Sequence, residues 1–154
     1  MNNVLSELLT GIDACTLLVN RLNAILEEDQ HAYISQDLKK LDENNEKKIQ
    51  IESELALKLS TCFNTPPLYG LSGSLIEKLN TYSQSLTVDE QHELAHPCDI
   101  LTQAINKGNE LIRINTNVIA FNGQYIKKII SHLLQDTHEK NDLTYDHAGE
   151  LCTE

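Results

Sequence analysis

A chain of 154 residues with a formal net charge of −11 is one domain's worth of sequence, and its acidity argues against a phosphate-backbone partner. Tryptophan is absent, phenylalanine numbers two and glycine six, a profile that suits helices packed along their length better than an enzyme folded around a pocket. No apolar run approaches the roughly 20 residues of a membrane span, so no membrane insertion is expected.

No basic residue precedes Arg21, so the N-terminus lacks the charged region of a signal peptide. The four cysteines (Cys15, Cys62, Cys98, Cys152) form no CxxC pair, and reduced thiols packed as small hydrophobes in a cytoplasmic protein are the expectation.

The first periodic stretch is Leu5, Leu8, Ile12, Cys15, Val19, Leu22 and Leu26, continued less apolarly by Asp29 and Tyr33. This 3-4 spacing predicts a helix over 4–34. Ser35-Gln36-Asp37 supplies turn and N-cap chemistry, and a second helix is expected over 36–63. Its seam reads Leu38, Leu41, Asn45, Ile49, Glu52, Ala56, Leu59 and Phe63, and its polar run 42–48 is expected to face water. Two helices of similar length with a short connection make an antiparallel hairpin.

Pro66 and Pro67 end the second helix, and Tyr69-Gly70-Leu71-Ser72-Gly73 extends the break, giving a loop over 64–73. Ser74 with Glu77, and Thr87 with Glu90, each fit a capping box, so short helices are expected over 74–96. Pro97 should kink the second of these or separate it from the next helix.

A long helix is then expected over 98–134, about 55–60 Å at about 1.5 Å per residue. Its heptad seam runs Leu101, Ile105, Gly108, Ile112, Asn115, Ile119, Asn122, Ile126, Ile129 and Leu133, with Ala104, Leu111, Val118 and Tyr125 widening the apolar face. The two asparagines either set register or keep the face partly wet until a partner docks. Residues 135–154 read as a flexible acidic tail. The fold class expected is all-α: an elongated antiparallel helical bundle with a coiled-coil-like hairpin and one long C-terminal helix.

One catalytic motif is literal. His92-Glu93-Leu94-Ala95-His96 is HExxH, in which two histidines bind zinc and the glutamate activates water. The extended metzincin form needs Gly and His where this chain has Asp99 and Thr102, Pro97 comes directly after, and nothing reads as a β-sheet. A zinc hydrolase is therefore the weaker reading beside a binding protein, and no metal or other cofactor is expected. A phosphotransfer histidine is weaker still, because nothing around His31, His132 or His138 resembles such a site.

The whole-chain pattern resembles the FlgN-type flagellar export chaperones. The N-terminal likeness lies in Leu26-Glu27-Glu28, Ala32-Tyr33, Asp37-Leu38, Leu41 and Lys47-Lys48. The C-terminal likeness lies in Asn106-Lys107-Gly108-Asn109-Glu110-Leu111-Ile112, the Asn-punctuated helix after it, and Thr144-Tyr145-Asp146-His147-Ala148-Gly149, where the family usually has Gly at position 146. HExxH is no part of the family pattern.

The resemblance implies a chaperone without catalytic residues that binds the C-terminal helical segment of hook-associated axial flagellar proteins. It would hold them unassembled and deliver them to the flagellar export apparatus by type III secretion. Client binding would fall to Ile112, Asn115, Ile119, Phe121, Asn122, Ile126, Ile129, Ile130, Leu133 and Tyr145. Another helical secretion chaperone or a homodimeric adaptor is the alternative among binding proteins. No nucleic acid partner is expected.

Overall fold

The computed structural model describes the backbone of residues 3–137, 143–145 and 151–153, with side-chain surroundings for 3–120 and Lys127. Four helices carry the fold: α1 (Asn3–Ser35), α2 (Leu38–Phe63), α3 (Leu75–Ser83) and α4 (Val88–Thr137). The architecture is all-α, with a hairpin of two three-residue strands, β1 (Leu143–Tyr145) and β2 (Leu151–Thr153), appended after α4.

The strands pair antiparallel, with Thr144 opposite Cys152. They depart from the expected structureless tail over 135–154, as does α4, which takes up residues 135–137. The expectation of a mobile tail otherwise falls on 138–142, 146–150 and 154, outside the described residues.

The caps agree with the sequence chemistry. Asp37 Oδ1 accepts from the Lys40 N–H at 3.0 Å to open α2. Gln36 turns the chain between α1 and α2 in the left-handed region (φ 57°), and the Asp37 N–H donates to the Ala32 carbonyl. Glu77 Oε2 accepts from the Ser74 N–H and Ser74 Oγ accepts from the Glu77 N–H, completing one capping box. Thr87 and Glu90 form the second, and it opens α4 itself.

That is the first correction. Pro97 does not separate a short helix from the long one: it lies inside α4. Leu94 and Leu101, one turn either side of it, are both buried in the main core, and that packing offsets the hydrogen bond lost with the missing N–H.

Helix α1 is the centre of the bundle. It packs along α2 on one side and α4 on the other, and among the described residues the backbones of α2 and α4 do not approach each other closely. Its buried set is accordingly wider than one seam: Leu18 and Ile25 meet Ile51 of α2, while Asn23 and Leu26 meet α4. The main core gathers Leu5, Leu8, Ile12 and Cys15 with Cys62, Leu68, Leu75, Leu79, Leu94 and Leu101.

The second correction concerns α2. The face it buries is Asn44, Ile51 and Cys62, with Lys48, Leu55 and Leu59 alongside; Leu38 and Ile49 of the expected seam are 74% and 67% exposed. The cause is Asp29 on α1, which is fully buried. Its carboxylate takes the Lys48 ammonium at 2.6 Å and the Asn44 amide at 2.8 Å, and those two residues fix the rotation of α2. Asp42, Glu43, Asn45, Glu46 and Lys47 do face water.

Helices α1 and α4 run parallel. Asn23 donates to the Ala104 carbonyl and Asn115 donates to the Leu26 carbonyl, so both chains advance together. Helix α1 ends nine residues after Leu26, whereas α4 ends 22 residues after Asn115. The difference of 13 residues carries α4 about 20 Å beyond the end of α1.

Candidate functional site

The 3-4 pattern of α4 gives it more apolar rows than α1 can cover. Leu101, Ala104, Gly108, Leu111 and Asn115 are buried against the bundle, with Val118 half-buried. The neighbouring heptad row is not: Ile105, Ile112 and Ile119 stay 36%, 51% and 47% exposed. The sequence seam thus splits. Its Leu101–Gly108–Asn115 row packs with the flanking line, and its isoleucine row faces outward.

Two asparagines and a glycine set this rotation. Asn23 Nδ2 donates to the Ala104 carbonyl at 2.8 Å, and Asn115 Nδ2 to the Leu26 carbonyl at 2.9 Å. Gly108 lets the helices close: a Cβ there would lie 2.7 Å from Asn23 Oδ1. Neither asparagine Oδ1 accepts a hydrogen bond from the protein. A buried polar atom without a partner is a cost, so these residues specify position rather than maximise stability. On the far side of α4, Lys107 reaches Glu27 of α1 at 2.7 Å.

Because the backbones of α2 and α4 stay apart, a groove opens between them over α1. Its inner end is a cleft of about 290 Å³. Cys15 and Val19 form the floor, Leu55, Leu59 and Phe63 one wall, and Leu101 and Ile105 the other. The start of α3 (Ser74 to Ile76) closes that end, where Lys78 Nζ stands 4.5 Å over the Phe63 ring. The exposed isoleucine row leads directly into this cleft through Ile105.

Cys15 and Cys62 meet beneath the cleft, both reduced and buried. The hydrogen bond between them holds the Cys15 thiol well above its ordinary range, with burial adding to it, and pulls Cys62 below, helped by the Lys58 ammonium. Cys15 therefore keeps the proton. Burial and the Asp99 carboxylate push Cys98 up to about 11, making it a poor nucleophile at neutral pH.

The sequence-derived client residues separate into two groups. Ile112 and Ile119 are exposed on the outward row, and Asn115 is buried against α1, where it cannot meet a client without α4 lifting off. Phe121, Asn122, Ile126, Ile129, Ile130 and Leu133 lie on α4 and Tyr145 on β1, with side chains outside those described. Sequence reading missed the groove's floor and far wall. Cys15, Val19, Leu55 and Leu59 look like ordinary seam residues until it is known that α2 and α4 stay apart.

The HExxH residues sit on α4 as the motif requires, with His92, Glu93 and His96 all exposed. His92 lines a shallow cleft with Asn80, Ser83 and Asp99, which Glu93 and His96 do not enter. Among the described residues no three His, Cys, Asp or Glu side chains are grouped as metal ligands. Among them, too, no helix is long and apolar enough to cross a membrane.

Asn115→Ile measures what the buried amide does. It removes one hydrogen bond together with an Oδ1 that accepts nothing, and the expected result is a gain of about 1 kcal/mol in urea unfolding. A loss of similar size would mean that the bond to Leu26 outweighs the burial of the amide.

No protein-family model matches the chain, and neither a curated protein nor a solved structure matches it significantly.

Proposed function

We propose that this chain is a cytoplasmic export chaperone of the FlgN type, a binding protein rather than an enzyme. Its client is the C-terminal helical segment of a hook-associated axial flagellar protein, held unassembled until it is passed to the type III export apparatus. The observation that carries the reading is the row Ile105, Ile112 and Ile119, left open along a helix whose adjacent row is fully packed. An amphipathic helix laid on that row covers apolar surface without any chemistry, which is how such segments are recognised. The Leu-Glu-Glu hairpin and the Asn-Lys-Gly-Asn-Glu start of the long helix's second half support the same family.

The groove suits reversible capture. Its inner end is apolar, whereas further along the exposed isoleucines alternate with Asn109 and Thr116, so the contact is strong at one end and weaker along its length.

Calorimetry with synthetic C-terminal peptides of axial flagellar proteins tests this. The wild-type chain should bind at least one such peptide. Ile112→Asp with Ile119→Asp should weaken that binding at least a hundredfold, since two isoleucine anchors are each worth about 1.5 kcal/mol or more. Both positions are exposed, so the unfolding free energy should move by no more than about 0.5 kcal/mol. No binding by any axial C-terminal peptide would end the proposal.

A further inference from the structure

Helix α1 carries a glycine where its packing leaves no room for a larger residue. Gly11 lies one turn before Cys15, on the side that meets α2, and a Cβ there would stand 2.6 Å from the Cys62 sulfur. Glycine inside a helix is less favourable than alanine, so its place here rests on what the missing side chain admits. What it admits is a thiol. Cys62, in the last turn of α2, rests its sulfur in that notch and shares a hydrogen bond with the Cys15 thiol.

The pair stands between two clefts. On one side Cys15 is part of the floor of the apolar cleft between α2 and α4. On the other, Cys62 lines a second cleft of about 340 Å³ with Glu7, Thr10, Ala14, Lys58 and Thr65. Glu7, Thr10 and Lys58 are exposed, so this cleft opens to solvent, and it places a cation one turn before Cys62 on the same helix.

The two sulfurs are chemically unequal. The hydrogen bond from Cys15 favours the Cys62 thiolate against burial, and the Lys58 ammonium adds to it, while Cys15 keeps its proton. The better nucleophile is thus the one with a way in. Its neighbour sits directly behind it, buried and in contact.

We propose that Cys15 and Cys62 are a peroxide-sensitive dithiol, oxidised reversibly to a disulfide that ties the end of α2 to α1. The Cys62 sulfur attacks one peroxide oxygen and the O–O bond breaks. Cys62 becomes a sulfenic acid, and the departing oxygen takes up a proton and leaves as water. The Cys15 sulfur then attacks the Cys62 sulfur, the S–O bond breaks, and the hydroxyl leaves as water with the proton from Cys15. Two electrons pass from the sulfurs to one peroxide, which ends as two waters. A small-molecule thiol reverses the bond by exchange.

Leu59 and Phe63, on either side of Cys62 in sequence, wall the apolar cleft whose floor is Cys15 and Val19. The bond therefore fixes that wall to that floor. It also closes a long loop, from residue 15 to residue 62, which restricts the unfolded chain. Neither this chemistry nor the chaperone reading depends on the other.

Brief exposure of the folded full chain to hydrogen peroxide, a quench with N-ethylmaleimide in urea, and peptide mapping by mass spectrometry read the bond directly. The expected product is a monomer in which the peptides bearing Cys15 and Cys62 are joined and Cys98 is alkylated. Its urea midpoint should lie about 1 M above that of the reduced chain, and dithiothreitol should reverse the shift. Cys15→Ser should halt Cys62 at the sulfenic acid, which dimedone traps, whereas Cys62→Ser should leave Cys15 a thiol.

Cys15 and Cys62 that stay unlinked, or that join only once urea has unfolded the chain, would overturn the proposal. So would a linked chain whose urea midpoint is unchanged or lower, or a dimedone adduct on Cys15 rather than on Cys62.

Discussion

Lys48→Met should cost about 3 kcal/mol of folding stability in urea at neutral pH. Asp29 is fully buried, and its carboxylate is balanced by the Lys48 ammonium at 2.6 Å and the Asn44 amide at 2.8 Å. Removing the cation leaves a buried anion with one neutral donor, and breaking such pairs costs about 3–5 kcal/mol. The Lys48 side chain keeps 18% exposure, which places this case at the low end. Replacing the whole cluster is a different matter. Asp29→Leu with Asn44→Leu and Lys48→Met removes both charges and the unpartnered Asn44 Oδ1, and should come within about 1 kcal/mol of the parent or exceed it. A Lys48→Met variant that loses less than about 1 kcal/mol would show that the ion pair does not fix the hairpin.

Gly108→Ala should destabilise by about 2 kcal/mol although alanine is the better helix former. Propensity alone favours it by about 1 kcal/mol. Against that, the new Cβ would stand 2.7 Å from Asn23 Oδ1. Asn23 is buried and its amide is committed to the Ala104 carbonyl, so it cannot swing aside without losing that bond. The helices must separate instead, which loosens Asn115 on Leu26 two turns further along. In an Asn23→Ala background the obstacle is gone, and Gly108→Ala should stabilise by about 1 kcal/mol. The cycle should therefore show a coupling near 3 kcal/mol, measured by urea unfolding of the four proteins. Additive effects would mean that Gly108 is not the close-approach point between α1 and α4.

The elements were legible because their signals are local. Two capping boxes and an Asp N-cap bound the helices through hydrogen bonds made within four residues, a double proline follows the end of α2 with no N–H to continue it, and all act where the sequence places them. Helix rotation was harder to read. The expected seam of α2 was one position off because Ile49 outranks Lys48 on any apolar scale, and only the burial of Asp29 reverses that order. The same holds for α4. Its isoleucine row is the most apolar one, yet it is left outside because Asn23, Gly108 and Asn115 dock the adjacent row.

What the sequence determined by itself is a set of helices, their ends and the presence of more apolar rows on the last helix than one partner could cover. Period and capping depend on neighbours within a turn or two of the same helix, so no tertiary information is needed. What only the tertiary structure decided is which row is spent on the bundle, that Pro97 stays inside α4, and that α2 and α4 stand apart over α1. Those outcomes rest on contacts between residues far apart in the chain: a buried carboxylate finding its cation, and two asparagine amides finding backbone carbonyls across a glycine. Such contacts select among rotations that the helical period leaves nearly equal, and the open isoleucine row is the remainder of that selection.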